Sequence, residues 1–488
     1  MKKQFICIPL IILFYATNLT AQFSFEINLN SDHHEYPSDF IQDSNNDFVG
    51  IIWKSDYFGF ERQSYIYKIS PVGDTVSYAF LLQDTVLNLY DIIEVSKSPI
   101  KYIVAGTGYV IGDDPRFRFS YFMKIDEDMN IIWSKTYQLF DESHIEYWSN
   151  IIQIENNNYL FAGSSDDPRT MFLLQLSELG DSIAYRKYEG DSAGTAQDLT
   201  YNYDSTAYWL HTHMAHYNPT GPESQCVELN FNLEQTKVMY YPRWFSSELR
   251  AKLLPDRNLV AGARYWYSQS LPRRKYLGAF KLDSTFYVID SCYLTHPDTS
   301  CRGGFKTLDY YYPSRIYLGG EHNYNMGTWV TEPSWFIVAL MDEDLNIIRE
   351  RYIGGDAFYD LKTVTATSDG GVLVSGTRYD YLTQNEEHDV IIIKLDSMDF
   401  TVGQQDHKQP FLVNAIVYPN PGQDEVYLRT SFNNSKFELY DLDGSKVLYK
   451  NIIHRLTKLE VNELKPGVYS WSLTNNQQVV ETGKWIKK

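Results

Sequence analysis

A segment of about 50 residues repeats along the chain, and this repeat constrains the fold more than any other feature of the sequence. In each copy a short apolar strand ends at a turn rich in Asp, Asn, Ser or Gly and then resumes, which is the chemistry of a β-hairpin. Corresponding turn residues are 51 to 59 positions apart. The seven turn residues are Ser70, Asp126, Ser177, Asn230, Asp283, Asp342 and Asp396.

A second apolar strand recurs with the same period. Five of its seven copies end in glycine, at Gly106, Gly163, Gly262, Gly320 and Gly376. Each unit also opens with a short apolar stretch and closes with a longer outer strand, so a unit contains four strands. Repeats of this length with four strands are typical of β-propeller blades. The sequence therefore predicts an all-β fold with a seven-bladed β-propeller over residues 22–403. A sandwich and a solenoid are the alternatives, and seven units of four strands favour the closed ring.

The seventh unit lacks its outer strand, because only the segment SMDFTVGQQ follows Asp396 before a polar linker. A spare strand, FSFEINLN at residues 23–30, precedes the first unit. We expect this N-terminal strand to complete the last blade. The pairing would remove an exposed sheet edge and tie the two ends of the ring together.

Residues 1–21 have the organisation of a cleavable secretory signal peptide. Lys2 and Lys3 precede an apolar run from Phe5 to Tyr15 that is too short to span a bilayer as a helix, and Ala21 precedes the expected cleavage point. No integral membrane span is expected after signal removal. The formal net charge of −19 argues against nucleic acid as a partner, because the chain would repel a polyanion.

A second, smaller β domain is expected at residues 414–488, after a linker at residues 404–413. Short β-prone segments separated by turn residues predict an immunoglobulin-like β-sandwich there. Its motifs stand in a fixed order: YPNP, then LYDLDGSKV, then LKPGVYSWSL, then a basic end. The residues that carry these motifs are Tyr418, Pro419, Asn420, Pro421, Gly444, Gly467, Tyr469, Lys484, Lys487 and Lys488.

This ordered set resembles the type A C-terminal sorting domain of the type IX secretion system. The resemblance implies that the chain crosses the outer membrane by recognition of this domain, with the type IX machinery and its sortase as partners. The cargo of that family is released or attached to the cell surface, so a secreted or outer-membrane surface-attached protein is expected. A generic adhesive β domain is the alternative.

Catalytic signatures are absent from the sequence, which contains no G-x-S-x-G elbow, no H-E-x-x-H and no P-loop. We therefore assign no catalytic residue. His211 and His213 would share one face of a strand and are weak candidates for metal ligands, but no carboxylate or cysteine completes the set locally. Cys292 and Cys301 are candidates for a disulfide in an oxidising compartment, and Cys226 is expected to be a buried strand cysteine.

Four polar residues begin the first strands of units one to four, where the inner strands of a propeller surround its channel. They are Asp39, Asp91, Asn150 and Asp198. We call these four residues the polar ring, and together they would bind sugar hydroxyls or a divalent cation. A divalent cation is the one cofactor that we consider. Alternatively, each side chain caps a local turn. Aromatic residues on the loops between second and third strands reach the same face and are candidate stacking groups. These are Tyr109, Trp266, Trp329 and Tyr379.

The sequence therefore favours an extracellular binding protein whose propeller recognises a glycan or protein ligand at the channel mouth. One alternative is a hydrolase or lyase that acts on polysaccharide there, marked by two carboxylates at glycosidase spacing. Another is a structural component of the cell surface. Propellers serve unrelated functions, so the fold cannot choose among them.

Overall fold

Strands dominate the computed structural model, and the helical segments in its described part are two 3-10 turns, Glu155–Asn157 and Ser397–Phe400. The predicted all-β class is confirmed. No helix in this part is both long and apolar enough to cross a membrane. The predicted signal peptide and the predicted linker lie outside the described residues. The structure describes residues 25–29, 31, 33–55, 62–79, 85–111, 118–139, 146–166, 169–188, 194–214, 224–242, 249–266, 275–294, 301–304, 306–324, 332–382, 387–400, 415–418, 422–423, 425–430, 434–454, 456–475 and 478–488.

Antiparallel sheets arranged one after another along the chain account for the described strands before residue 401, and we number them sheet 1 to sheet 7. Within a sheet, consecutive strands pair with each other from the inner edge to the outer edge. The strands of sheets 1 to 3 are β2 (His34–Gln42), β3 (Phe48–Ser55), β4 (Arg62–Ile69) and β5 (Thr75–Ala79); β6 (Thr85–Lys97), β7 (Ile100–Val110), β8 (Phe119–Asp126) and β9 (Ile131–Tyr137); and β10 (Glu146–Gln153), β11 (Tyr159–Asp166), β12 (Arg169–Leu176) and β13 (Ser182–Tyr188).

The remaining sheets repeat this plan, except that two short strands share the inner edge of sheet 6. Sheets 4 and 5 contain β14 (Gly194–Tyr201), β15 (Tyr208–Met214), β16 (Ser224–Leu229) and β17 (Gln235–Tyr240); and β18 (Arg250–Leu253), β19 (Leu259–Trp266), β20 (Lys275–Leu282) and β21 (Val288–Leu294). Sheets 6 and 7 contain β22 (Cys301–Arg302), β23 (Leu308–Tyr312), β24 (Arg315–His322), β25 (Trp335–Met341) and β26 (Ile347–Gly354); and β27 (Phe358–Ala366), β28 (Val372–Tyr379), β29 (Asp389–Leu395) and β1 (Phe25–Leu29).

The outer strand of sheet 7 comes from the N-terminal end of the chain. β1 pairs antiparallel with β29, with Ile27 opposite Ile392. Ile27 packs against the core shared by sheets 7 and 1, whereas Glu26 is exposed. The two ends of the repeat region are therefore joined by a ladder of backbone hydrogen bonds.

The inner strands form a closed cycle, in which each contacts the inner strand of the next sheet and β27 of sheet 7 contacts β2 of sheet 1. At this junction Thr365 Oγ1 donates a hydrogen bond to the carbonyl of Phe40 at 2.8 Å. The backbone N–H of Ser368 also donates to Oε1 of Gln42 at 2.7 Å. A ring of sheets around a central channel is the arrangement of a β-propeller, as the repeat predicted.

Hydrophobic cores lie between neighbouring sheets of the ring, and each of these cores is shared by two sheets. This follows because successive side chains of a strand point to opposite faces of its sheet. In β3, Val49 and Ile51 face sheet 2, whereas Phe48 and Ile52 face sheet 7. Both faces of a sheet are therefore apolar, which explains why the middle strands have nearly continuous apolar sequences. The same pattern recurs at the other junctions of the ring.

The C-terminal residues form two further sheets with a core of their own, in which Trp485, Val426 and Phe437 are fully buried. This agrees with the small β-sandwich expected from the sequence. One sheet has the order β30 (Ala415–Tyr418), β31 (Glu425–Thr430) and β34 (Leu456–Glu460); the other has the order β33 (Lys446–Ile452), β32 (Ser435–Tyr440), β35 (Gly467–Asn475) and β36 (Gln478–Lys487).

The disulfide proposed between Cys292 and Cys301 is wrong, because both are free and buried, as is Cys226. Cys292 Sγ lies 3.0 Å from the sulfur of Met341, and Cys301 Sγ lies 3.8 Å from Nδ1 of His322. Each thiol is thus packed against a different neighbour in the core between sheets 5 and 6. Burial raises the pKa of both thiols to about 12, so they remain protonated and unreactive at neutral pH.

The pairing of β1 with β29 predicts that a charge at position 27 destabilises the ring. Ile27→Asp places a carboxylate against the apolar residues shared by sheets 7 and 1, and we expect it to lower the free energy of unfolding by about 2 kcal/mol. The control is Glu26→Ala on the exposed side of the same strand, which should stay within about 0.5 kcal/mol of the unmodified protein. Urea titration of the mature chain measures both. Equal midpoints for the two variants would show that β1 does not close the ring.

Candidate functional site

A cavity of about 430 Å³ occupies the channel enclosed by the inner strands. Every one of the seven sheets contributes to its wall through residues of its innermost strand or of the segment just before it. The lining segments are 39–42, 91–93, 150–152, 198–200, 250–252, 308–311 and 364–366, together with Lys306. A cavity of this size is within the range of small-molecule sites, about 300–1,000 Å³.

All four polar residues predicted around the channel line this cavity: Asp39, Asp91, Asn150 and Asp198. Each follows a register shift in its inner strand, which marks a β-bulge directly before it. A bulge re-aims the side chain that follows it and interrupts the regular ladder. The repeated bulge therefore explains why polar side chains from strands that are otherwise apolar converge on one level of the channel.

Asp39 joins sheet 1 to sheet 2. Its Oδ1 accepts from the backbone N–H of Phe40 at 3.0 Å, and its Oδ2 accepts from the N–H of Ile92 at 3.1 Å. Asp198 does the same between sheets 4 and 5, because its Oδ2 accepts from the N–H of Ala251 at 2.8 Å. Turn capping thus explains only the hydrogen bonds from the next residue along the chain. The carboxylates also accept hydrogen bonds from the neighbouring sheet and so join the two sheets.

Lys306 reaches across the channel from sheet 6 and contacts both carboxylates of sheets 1 and 2. Its Nζ lies 2.8 Å from Oδ2 of Asp39 and also contacts Oδ1 of Asp91. Burial raises the pKa of Asp39 to about 7, Lys306 opposes that rise and the neighbouring carboxyl group of Asp91 adds to it. Oδ2 of Asp91 is buried and accepts no hydrogen bond from the part of the chain that the structure describes. A proton retained by Asp39 or a hydroxyl of a ligand would satisfy it.

Asp198 lies at the centre of the opposite half of the ring. Its Oδ1 accepts from the backbone N–H of Leu199 at 2.9 Å and lies 3.2 Å from the guanidinium of Arg250. The side-chain amide of Asn150 also donates to this oxygen. Asp198 is 1% exposed, so its negative charge is balanced by a network within the protein rather than by solvent.

Sequence reasoning did not identify Lys306 and Arg250, although they provide the positive charge of the ring. Both stand in the apolar opening segments of their units, FKTLDYY and RAKLLPD, near the repeat position that holds an acid or amide in units one to four. Aligning that position through all seven units would have found them. Their pairing with acidic residues of other sheets could not have been predicted from the spacing of residues in the sequence.

Toward the ends of the inner strands the cavity wall becomes aromatic and mixed in charge. Lys252 and Asp309 form an ion pair at 2.9 Å, and Oδ2 of Asp309 accepts from the N–H of Ala366 at 2.9 Å. Tyr310 donates to the carbonyl of Leu253 at 2.5 Å and is thereby fixed. Tyr311 also lines the cavity but is 54% exposed.

The two histidines considered as metal ligands both lie in β15, and His213 is half-buried there. His211 is fully buried, with Nδ1 2.7 Å from the hydroxyl of Tyr241 and Nε2 3.1 Å from Oγ1 of Thr200. Burial lowers the pKa of His211 to about 4, so its ring is neutral, and both ring nitrogens have hydrogen-bond partners. Within the described residues no group of three or more His, Cys, Asp or Glu side chains has a geometry that could hold a metal ion.

The predicted aromatic stacking residues are not brought together as an exposed set. Tyr109 is 9% exposed, with the guanidinium of Arg118 5.8 Å from its ring centre. Tyr379 is 6% exposed and stacks on His388 with ring centres 5.2 Å apart. Trp266 is the last residue of β19, its side chain is not among those described, and Trp329 lies outside the described residues. The two tyrosines are thus packed into the structure rather than exposed on its loops.

A second carboxyl pair consists of the buried Glu321 in β24 of sheet 6 and the half-buried Asp360 in β27 of sheet 7. Burial and the adjacent Asp360 raise the pKa of Glu321 well above its usual range. Burial also acts to raise the pKa of Asp360, but Lys362, 2.6 Å away, and Glu321 hold it at about 2. One group is thus neutral and the other ionised at the same pH. This pair was not predictable from the sequence, because the two residues stand in different repeat positions.

In the C-terminal domain the described motif residues are structural. Gly444 has φ +77° in the hairpin between β32 and β33, which favours glycine, and Gly467 begins β35. The buried Tyr469 donates to the carbonyl of Lys465 at 2.7 Å. Lys487 is also buried and donates to the carbonyl of Val461 at 2.6 Å, whereas Lys484 is exposed. Pro419, Asn420 and Pro421 lie outside the described residues, and Tyr418 ends β30.

Residues 416–488 match the family of secretion system C-terminal sorting domains. No curated protein matches the chain. Among solved structures, the chain is similar to polysaccharide lyase Uly1 with 7% identity and a TM-score of 0.46, over 77% of this chain and 99% of the other. It is similar to the Dos1 propeller with 10% identity and a TM-score of 0.40, over 76% and 94%.

A third similar structure is PorZ, described as a bacterial surface component of the type IX secretion system of Porphyromonas gingivalis. The identity is 10% and the TM-score 0.21, over 91% of this chain and 74% of the other. The sorting domain directs the protein through the type IX secretion system to the cell surface or beyond.

The carboxyl group of Asp39 predicts a pH dependence of stability. Its pKa in the folded protein, about 7, is above the ordinary 3.8. Between these values the folded state holds a proton that the unfolded state has lost, so this contribution to stability falls as pH rises from about 4 to about 7. Asp39→Asn removes it. The stability of the unmodified protein relative to this variant should therefore decline over that window, as measured by urea unfolding at pH 4.5, 6 and 8.

The control for this titration is Asp74→Asn, which removes an exposed carboxylate from a hairpin. Its stability should follow that of the unmodified protein across the same pH range. Parallel curves for Asp39→Asn and the unmodified protein would show that Asp39 and its neighbours Asp91 and Lys306 do not hold a proton in the folded state.

Proposed function

We propose that this chain, whose residues 416–488 are a type IX secretion system C-terminal sorting domain, is an extracellular binding protein that uses the channel of its propeller as a recognition site. The sorting domain accounts for export. The propeller supplies the part of the molecule that acts outside the cell, and its ligand is a glycan or a protein segment.

The observation that supports a channel site is Asp91, which lines the cavity and whose buried Oδ2 has no hydrogen-bond partner among the described residues. Leaving a buried acceptor unpaired costs about 1–3 kcal/mol, more for a charged group. Every other carboxylate oxygen of Asp39 and Asp198 accepts a hydrogen bond or contacts a cation. An acceptor left open beside a cavity is suited to receive a hydroxyl or amide donor from a ligand.

The charges of the ring favour such a neutral donor over a divalent cation. Lys306 already occupies the position between Asp39 and Asp91 that a cation would need. A second cation would have to displace its ammonium group or approach it closely, and the low-dielectric channel strengthens that repulsion. Arg250 has the same effect beside Asp198.

A second candidate function is action on polysaccharide, and the observation in its favour is the pair Glu321 and Asp360. Two carboxyl groups whose pKa values are pushed apart are typical of an acid and a base in catalysis. Neither Glu321 nor Asp360, however, is among the described residues that line the channel cavity. Asp360 is also held in an ion pair with Lys362 at 2.6 Å. Release of reducing ends from a polysaccharide, with loss in Glu321→Gln, would favour this candidate.

Export provides the first test of the assignment. Removal of residues 414–488 in the native host should leave the propeller folded but retained in the periplasm, because the two parts have separate hydrophobic cores. Fractionation and a protease-protection assay measure its location. The same amount of truncated and complete protein at the cell surface would contradict the role of the domain.

Binding provides the second test. The mature protein is screened by calorimetry against neutral oligosaccharides, peptides, and Ca²⁺ and Mg²⁺. Asp91→Asn replaces the carboxylate, which only accepts hydrogen bonds, by an uncharged amide that also donates them. We therefore expect at least tenfold weaker binding of a compound that binds the unmodified protein. Asp128→Asn, which removes an exposed hairpin carboxylate, is the matched control. Binding that is unaffected by Asp91→Asn would place the site elsewhere.

A further inference from the structure

The channel cavity extends from the polar ring in one direction along the inner strands. In each sheet the lining residues that follow the ring, such as Ile92 and Ile93 or Leu199 and Thr200, lead toward the hairpin that joins the first strand to the second. We call the side of the molecule that carries these hairpins the hairpin face; its turns are residues 43–47, 98–99, 154–158, 202–207, 254–258, 312–315 and 367–371. It is opposite to the side on which the sequence predicted the aromatic loops.

Three features at this end of the cavity resemble the entrance of a binding site. Tyr311 both lines the cavity and is 54% exposed, so the wall reaches the molecular surface at this residue. Its neighbour Tyr312 is held in place by a hydrogen bond from its hydroxyl to the carbonyl of Ser368 at 2.7 Å, and the two rings contact edge to face with centres 5.0 Å apart. Tyr311 is therefore an exposed aromatic ring on a supported hairpin.

At the other end of the cavity the channel is crossed by Lys306. This side chain extends from sheet 6 to Asp39 of sheet 1 and Asp91 of sheet 2, and its Nζ also lies 3.4 Å from the carbonyl of Tyr90. An ammonium group held by three acceptors is not easily moved aside. The ring thus forms a floor that includes Asp91, whose Oδ2 accepts no hydrogen bond from the described residues.

We propose that the channel is entered from the hairpin face and that it holds the end of a neutral saccharide, with Asp91 as a hydrogen-bond acceptor at the floor and Tyr311 as a stacking group at the rim. This inference rests on the proposed binding function. It specifies the side from which the ligand enters the channel and the chemical class of the ligand. The ligand is identified by chemistry alone: a chain end rich in hydroxyl groups, with an apolar face on each ring.

The wall of the cavity matches that chemistry. Apolar residues, including Ile92, Leu199 and Val364, line the channel together with polar residues. Carboxylate acceptors and cationic donors are adjacent in the ring, and a sugar hydroxyl can both donate and accept. The ring carries the three carboxyl groups of Asp39, Asp91 and Asp198 against two cations, so an anionic ligand gains no net attraction from it.

The proposal is tested with cellotetraose, maltotetraose and laminaritetraose as neutral probes, and with tetragalacturonate as the anionic counterpart. Calorimetry on the mature protein should detect at least one neutral probe and no binding of the uronate. Tyr311→Ala should then weaken binding of that probe about tenfold, because one face of a sugar ring loses its aromatic partner. The melting temperature should stay unchanged, since Tyr311 is exposed.

Two controls distinguish the entrance from other aromatic surfaces. Tyr287→Ala removes a tyrosine that is 70% exposed on a hairpin at the outer side of sheet 5, and it should leave binding unchanged. Trp266→Ala changes the last residue of β19, at the strand end opposite to the hairpin face, and should also leave binding unchanged. If Trp266→Ala abolishes binding and Tyr311→Ala does not, the channel is entered from the other side and the inference is overturned.

The outcomes also separate this inference from the proposed function. Binding of a peptide that is lost in Asp91→Asn would retain the channel as a recognition site but contradict a saccharide ligand. Binding of tetragalacturonate in preference to the neutral probes would contradict the neutral ligand class. Binding of a neutral probe that is unaffected by both Asp91→Asn and Tyr311→Ala would place the saccharide outside the channel and overturn both proposals.

Discussion

Burial of each sheet on both of its faces is the constraint on which the rest of the propeller depends. A strand such as β7, with Tyr102 and Val104 in one core and Ile103 and Ala105 in the next, cannot exist without a neighbour on either side. A row of such sheets has two unsatisfied ends, and only closure into a ring removes both. The contact of sheet 7 with sheet 1 follows, and β1 strengthens it by adding a strand from the other end of the chain.

Closure brings the inner edges of all sheets together, and this crowding explains the polar ring. Neighbouring inner strands do not pair as a ladder, so some of their backbone N–H groups need other acceptors. Asp39 and Asp198 supply them to Ile92 and Ala251 of the next sheet. Carboxylates in a narrow apolar channel in turn require counter-charges. Lys306 and Arg250 provide these from sheets whose own inner strands carry no acid at that level.

The sequence predicted those parts of the structure that depend on local periodicity. The repeat identified the strands of each sheet, the missing outer strand indicated the role of residues 23–30, and strand position placed Asp39, Asp91, Asn150 and Asp198 at the channel. Contacts between distant units were not predictable in this way. The pairing of Lys306 with Asp91 joins residues 215 positions apart, and the separate packing of Cys292 and Cys301 depends on side-chain direction rather than on spacing. Tyr109 and Tyr379 were expected on exposed loops, but they belong to the ends of strands and are buried there.

The same ring serves both to fasten the sheets and, as proposed, to recognise a ligand, and this dual use limits where recognition can occur. An oxygen that accepts a backbone N–H from the next sheet cannot turn toward a ligand without loosening the ring. Asp39 and Asp198 are committed in this way, whereas Oδ2 of Asp91 accepts no hydrogen bond from the described residues. Tyr311, at the other end of the cavity, is likewise outside the hydrophobic cores. Specificity can therefore vary at Asp91 and Tyr311 without a change in the contacts that close the ring, while the remaining polar residues of the channel are held fixed by the fold.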